Sequence, residues 1–115
     1  MKIINRDLLY ITPKQSLFDW YLQSFPDDPV INDETDFHDK ASVYLIPEFD
    51  DQHKALEWLK KNCDVWFDML LANWCADESL LPHKRNWKMM NEFFQITYQS
   101  LVIDTLSKSI TREDL

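Results

Sequence analysis

Cys75, Asp77 and His83 supply the residue types of a thiol site: a nucleophile, an orienting acid and a base. Such a site is defined by geometry, so a separation of eight residues between Cys75 and His83 is usable if the connection folds back. The chain contains no glycine, however, and so offers no glycine-rich loop for an oxyanion. A small buried cysteine and a surface histidine are the simpler assignment, since unpaired Cys is among the most buried residue types. Glu48, Asp50, Asp51 and His53 form the densest set of metal-ligating types, and hard cations favour clustered carboxylates. Their spacing lacks the glycine turn and the twelfth-position Glu of a calcium loop, which points to a helix cap with solvated charge and to no metal. Lys84, Arg85 and Lys88, flanked by Trp74 and Trp87, have the types that stack on bases and hold phosphates. A pI near 4.7 opposes a polyanion, so the basic cluster is read as neutralising Asp77 and Glu78 or docking an acid elsewhere.

The excess charge has one address. Between Asp27 and Asp51 stand nine acids (Asp27, Asp28, Asp33, Glu34, Asp36, Asp39, Glu48, Asp50 and Asp51) and one base, Lys40. The other ninety residues hold 11 acids and 11 Lys or Arg, so the formal charge of -8 belongs to this stretch. Asp50 and Asp51 are expected to cap a helix and Glu48 to end a strand, which narrows the candidate partner surface to Asp27 through Asp39.

At 115 residues with 45% hydrophobic side chains, five Trp, seven Phe and four Tyr, the chain suits one folded domain over residues 1-115. Its apolar runs are far shorter than the roughly 20 residues of a membrane span, and Met1 to Asp7 does not have the form of a cleaved secretion signal. A cytoplasmic location follows, with export by a route lacking a cleaved signal left open. Cys63 and Cys75 lie about 18 Å apart if both belong to one helix, beyond disulfide reach. Two reduced thiols are expected.

Prolines supply the punctuation. Asp7 to Thr12 reads as a strand stopped by Pro13, and Ser42 to Ile46 as a second, stopped by Pro47, with which it pairs. Leu17, Phe18, Tyr21, Leu22 and Phe25 recur at helical spacing from about Pro13 to Ser24. From Val30 to Lys40 periodicity fades into a loop with at most a short helical turn. Asp50 or Asp51 caps a long helix reaching about Ala76, with Leu56, Leu59, Cys63, Trp66, Phe67, Leu70 and Trp74 on its stripe. Asn86 caps another, whose stripe runs from Trp87 through Met90, Phe93, Phe94, Thr97, Tyr98, Leu101 and Val102 to Thr105. The expected fold is α+β and mainly helical: two short strands plus three helices, the last two forming a long antiparallel hairpin. Two strands alone make a marginal sheet, which keeps a homodimer open.

Several motifs add a resemblance. Tyr44-Leu-Ile-Pro-Glu-Phe-Asp-Asp51, Trp74-x-x-Asp77-Glu-Ser-Leu-x-Pro82-x-x-Arg85, Phe93-Phe94 and Ser100-Leu-Val-x-Asp104, together with Pro13-Lys14-Gln15 followed by Phe18, Asp19 and Trp20, resemble a family of short acidic uncharacterised bacterial proteins. That family implies no catalytic residues. In size, acidity and helix content, rather than in any motif, the chain is also similar to a small bacterial inhibitor of ubiquitin-deamidating and transglutaminating effectors. The resulting expectation is a non-catalytic protein-binding protein, an inhibitor or regulator of a partner enzyme with a basic surface. The resemblance implies that such a partner could be a bacterial effector enzyme. No cofactor, nucleic acid or membrane is expected. The contact residues would be Asp27, Asp28, Asp33, Glu34, Asp36 and Asp39, with Trp20 and Trp58 as apolar anchors. The alternatives are a small thiol enzyme using Cys75 and His83, and a structural dimer with no enzymatic role.

Overall fold

The computed structural model describes residues 1–27, 37–82 and 85–115. Among them the chain is α+β, with four helices and five strands in two small sheets. In order come β1 (Lys2–Ile3), β2 (Asp7–Pro13), α1 (Gln15–Ser24), a short 3₁₀ turn (Phe37–Lys40), β3 (Ser42–Ile46), α2 (Gln52–Lys61) and α3 (Cys63–Ala72). A second 3₁₀ turn (Glu78–Leu80), α4 (Trp87–Phe93), β4 (Phe94–Gln99) and β5 (Ile103–Asp104) complete it.

β2 is the central strand of a three-stranded antiparallel sheet ordered β3-β2-β4. Leu9 pairs with Tyr44 on one side and with Tyr98 on the other. Because side chains alternate along a strand, Leu9, Ile11, Ile46 and Phe94 face inward, and all four are buried. The helices cover that face with Leu17 and Phe18 from α1, Ala55 and Leu59 from α2, Phe67, Leu70 and Leu71 from α3, and Met90 and Phe93 from α4. Lys14 ties two elements together. Its backbone N–H donates to the Phe93 carbonyl at 2.8 Å and its ammonium to the Asn91 carbonyl at 2.7 Å. A cation thus meets the carbonyl end of α4, where the helix dipole favours it.

This architecture corrects the expected three helices, two strands and long terminal hairpin: one expected helix is split, the last gives way to a strand, and β1 and β5 add a second sheet. The stretch from Asp51 to Ala72 is two ten-residue helices rather than one. Asn62 stands between them at φ -104°, ψ 20°, and its side-chain amide donates to the Trp58 carbonyl at 2.8 Å. A polar side chain that serves the end of the preceding turn in this way competes with helix continuation. The helix expected from Asn86 to Thr105 stops at Phe93, and the chain continues as β4. Phe94-Gln-Ile-Thr-Tyr-Gln99 alternates apolar and polar residues, and the free edge of β2 supplies the hydrogen bonds. Asp51 and Asn86 do cap their helices, accepting from the backbone N–H of Lys54 and Met89, each at 2.9 Å.

β1 and β5 form a separate two-stranded ribbon, extended by the Ile4 N–H donating to the Val102 carbonyl at 3.0 Å. Residues 105–115 are exposed throughout. The radius of gyration, 16.0 Å, exceeds the roughly 13 Å of a compact domain this long, in keeping with an extended, exposed tail. No described residue has a positive φ, so the turns described are built without the left-handed region that glycine would serve. No helix among the described residues is long and apolar enough to cross a membrane.

Candidate functional site: an aromatic cavity beside the acidic segment

Three strands, α1 and α3 enclose a half-open cavity of about 350 Å³, at the small end of the roughly 300–1,000 Å³ typical of ligand pockets. Its floor is Ile11 and Pro13 of β2, Phe94 of β4 and Leu70 of α3. Strand alternation puts these side chains on one face, and pairing aligns them: Ile11 stands opposite Ser42, and Pro13 opposite Phe94. Tyr21, Tyr44 and Trp74 form aromatic walls, while Lys40, Ser42 and Asn73 bring polar groups to the lining.

Each wall is braced from behind. Trp74 packs edge-on against Phe18 at 5.4 Å and Tyr21 at 5.7 Å between ring centroids. Trp66 meets Tyr44 at 5.3 Å, also edge-on. Edge-to-face contacts of this kind favour one orientation of each ring, so the walls are held before anything enters. The backbone N–H groups of Trp74 and Cys75 both donate to the Leu71 carbonyl, at 2.9 and 3.0 Å, which fixes Trp74 at the end of α3.

Two of the lining residues bracket the run from Asp27 to Asp39 in the sequence. Tyr21 lines the cavity six residues before Asp27, and Lys40 lines it immediately after Asp39. Asp27 and Asp39 are exposed. Asp28, Asp33, Glu34 and Asp36, the other acids of the expected contact surface, lie outside the described residues. Trp20 and Trp58 are half-buried and packed within the chain: Trp20 lies 6.0 Å from Phe93, and Trp58 lies 5.4 Å from Phe49 and 5.9 Å from Trp66. Both rings pack against the margin of the core.

Sequence reasoning did not gather Tyr21, Lys40, Ser42, Tyr44, Asn73 and Trp74. Lys40 stood out as the single base in the acidic run, but nothing local joins residues drawn from α1, the first 3₁₀ turn, β3 and the end of α3.

The groups that might have carried chemistry have other partners. Asp50 pairs with Lys54 at 2.8 Å, which holds its carboxyl below the usual range through that hydrogen bond and charge. His53 meets Glu57 at 3.1 Å and Asp51 caps α2. Among the described residues, no three His, Cys, Asp or Glu side chains gather as a metal site. Arg85 docks on Asp68 of α3 at 3.2 Å. Asp77 accepts from the Ser79 hydroxyl and backbone N–H, which lowers its carboxyl pKa.

Both cysteines are free and buried. Burial first, and then the charges of Asp64 and Asp68, push the Cys63 thiol upward. The Cys75 thiol donates to the Asp77 carbonyl at 3.5 Å, and His83 lies outside the described residues. In an alkylation assay at neutral pH, both thiols are expected to react only as fast as the protein opens, and at the rate of a free thiol in denaturant. Fast modification of Cys75 in the folded protein would restore the thiol-enzyme alternative.

Comparison with protein-family models, with curated proteins and with solved structures finds no match to this chain.

Proposed function

We propose that this chain is a binding protein that docks on a basic protein surface and takes one apolar or aromatic side chain of its partner into the cavity. The supporting observation is that cavity: an aromatic slot lined by Tyr21, six residues before Asp27 in the chain, and by Lys40, the residue next after the exposed Asp39. These features serve different purposes. A long-range acidic field raises the encounter rate and rejects like-charged surfaces. Affinity comes from a few desolvated anchors in well-packed pockets, for which Trp, Tyr and Arg are the usual residues. An inhibitor or regulator needs both, and no reacting group of its own. A ubiquitin-modifying effector as the partner rests on the resemblance alone, as does a bacterial origin.

The test begins with capture of one basic protein from the source cell, followed by kinetics on the purified pair. Raising salt from about 0.1 M to about 1 M shortens the screening length from about 10 Å to about 3 Å, and the association rate is expected to fall steeply. Asn73→Phe, at an exposed position on the cavity lining, should block the slot and weaken binding about tenfold or more without lowering Tm. An association indifferent to both salt and Asn73→Phe would overturn the reading.

A further inference from the structure

Among the described residues β3 is an edge strand, and it has an unusual combination of features. It is five residues long, it is bounded by charge of opposite sign, and its outward residues are apolar yet uncovered. Val43 and Leu45 are 58% and 51% exposed. They point away from the core, on the face they share with Tyr10 and Leu8, their partners across the strand pair. Sheet edges normally carry charge or distortion where they must stay solitary, because unpaired N–H and C=O groups recruit further strands. Here the charges lie beyond the strand, at Lys40 and Glu48, both exposed.

The segment from Lys40 to Glu48 is complementary to itself when run antiparallel. Centred on Tyr44, a two-fold axis sets Val43 of one copy opposite Leu45 of the other, and Ser42 opposite Ile46. The same axis sets Lys40 opposite Glu48. We infer that the protein forms a two-fold dimer through antiparallel pairing of β3 with β3 of a second copy, registered on Tyr44.

Pairing in this register does three things at once. It joins two three-stranded sheets into one of six strands ordered β4-β2-β3-β3-β2-β4, removing an exposed edge from each copy. It brings four exposed apolar side chains, Val43 and Leu45 from both copies, to cross-strand distances of about 4.5–5.5 Å. It also places a Lys40–Glu48 pair at each end. A one-residue slip would set the apolar pairs on opposite faces. Pro47, which has no N–H, limits the ladder to Ser42–Ile46. An isologous contact of this kind closes upon itself, so the product is a dimer and not a fibre. The inference stands on the edge strand and its flanking charges, independently of what enters the cavity.

Sedimentation equilibrium over a wide concentration range tests it, with circular dichroism to verify folding of each variant. The mass should rise with concentration from the 13.9 kDa of one chain to twice that value. Val43→Lys, at an exposed site, should weaken the dimer about tenfold or more. Lys40→Glu and Glu48→Lys should each weaken it, and the double variant Lys40→Glu/Glu48→Lys should restore it, since only opposition of these two positions makes the swap silent. A chain that stays monomeric at millimolar concentration would overturn the proposal. So would a dimer indifferent to Val43→Lys. Failure of the double swap to recover what the single changes lost would overturn the register. If Val43→Lys does not fold, the charge-swap set decides alone.

Discussion

Phe67→Ala is expected to lower the unfolding free energy by about 3–5 kcal/mol, the largest effect of any single change considered. Phe67 is fully buried at the centre of α3, and its ring meets Phe93 at 5.9 Å and Phe94 at 6.3 Å, both edge-on. Those two residues are the last of α4 and the first of β4. Removing the ring therefore opens a void where α4 gives way to β4. Collapse into that void is opposed by the sheet itself, because Phe94 is held by pairing with Pro13. A domain of ordinary stability, about 5–15 kcal/mol, would lose a large part of its margin. Urea unfolding would show the midpoint falling sharply with little change in slope, and a loss below about 1 kcal/mol would contradict this account of the core. Phe67→Leu, which refills most of the volume, should recover more than half of the loss.

The second large effect belongs to a polar side chain. Asp7 is 3% exposed, and its carboxylate accepts from the Phe49 backbone N–H at 2.8 Å and from the Tyr98 hydroxyl at 2.5 Å. One side chain at the start of β2 thereby fastens the link from β3 to α2 and the far end of β4. Asp7→Ala would leave two donors without their acceptor, at an expected cost of about 3 kcal/mol, since hydrogen bonds to a charged group are the stronger kind. Asp7→Asn retains an acceptor and should lose less.

The same contact sets an alkaline limit. Burial first, then the hydrogen bond and charge of Asp7, push the Tyr98 hydroxyl up to about 12 from its ordinary value near 10. The folded state thus prefers the protonated phenol. Its contribution to stability is fully present below pH of about 10 and is lost as pH climbs towards about 12. Absorbance titration should find Tyr98 ionising late, together with the loss of native signal. Asp7→Ala should bring that ionisation part of the way back towards 10, the burial contribution remaining. Ionisation of Tyr98 near 10 with the fold intact, read against a variant lacking that tyrosine, would refute the coupling.

Local signals in the sequence were reliable where the physics is local. A helix cap needs only a side-chain oxygen three residues before an open N–H, so Asp51 and Asn86 could be read directly, as could the strands ending at Pro13 and Pro47. The break at Asn62 had a local signal too: Lys60 and Lys61 in a last turn followed by Asn, overridden by a hydrophobic stripe that continues across it. β4 was harder. Phe94, Thr97, Tyr98 and Leu101 satisfy helical spacing, while Phe94, Ile96 and Tyr98 satisfy the alternation of a strand, and six residues cannot separate the two periods.

The sequence by itself determined the charge address, the caps, the strands β2 and β3, the first helix and an aromatic core of the right size. Those follow from residue type and from neighbours within a few positions. Tertiary structure alone decided that residues 94–99 are a strand, because β2 had an edge to fill and Asp7 lay waiting for Tyr98, 91 residues away. It also made the cavity. The cavity is made by side chains from Ile11 to Phe94, whose proximity depends on sheet register and helix packing, neither of which any short stretch of the chain encodes.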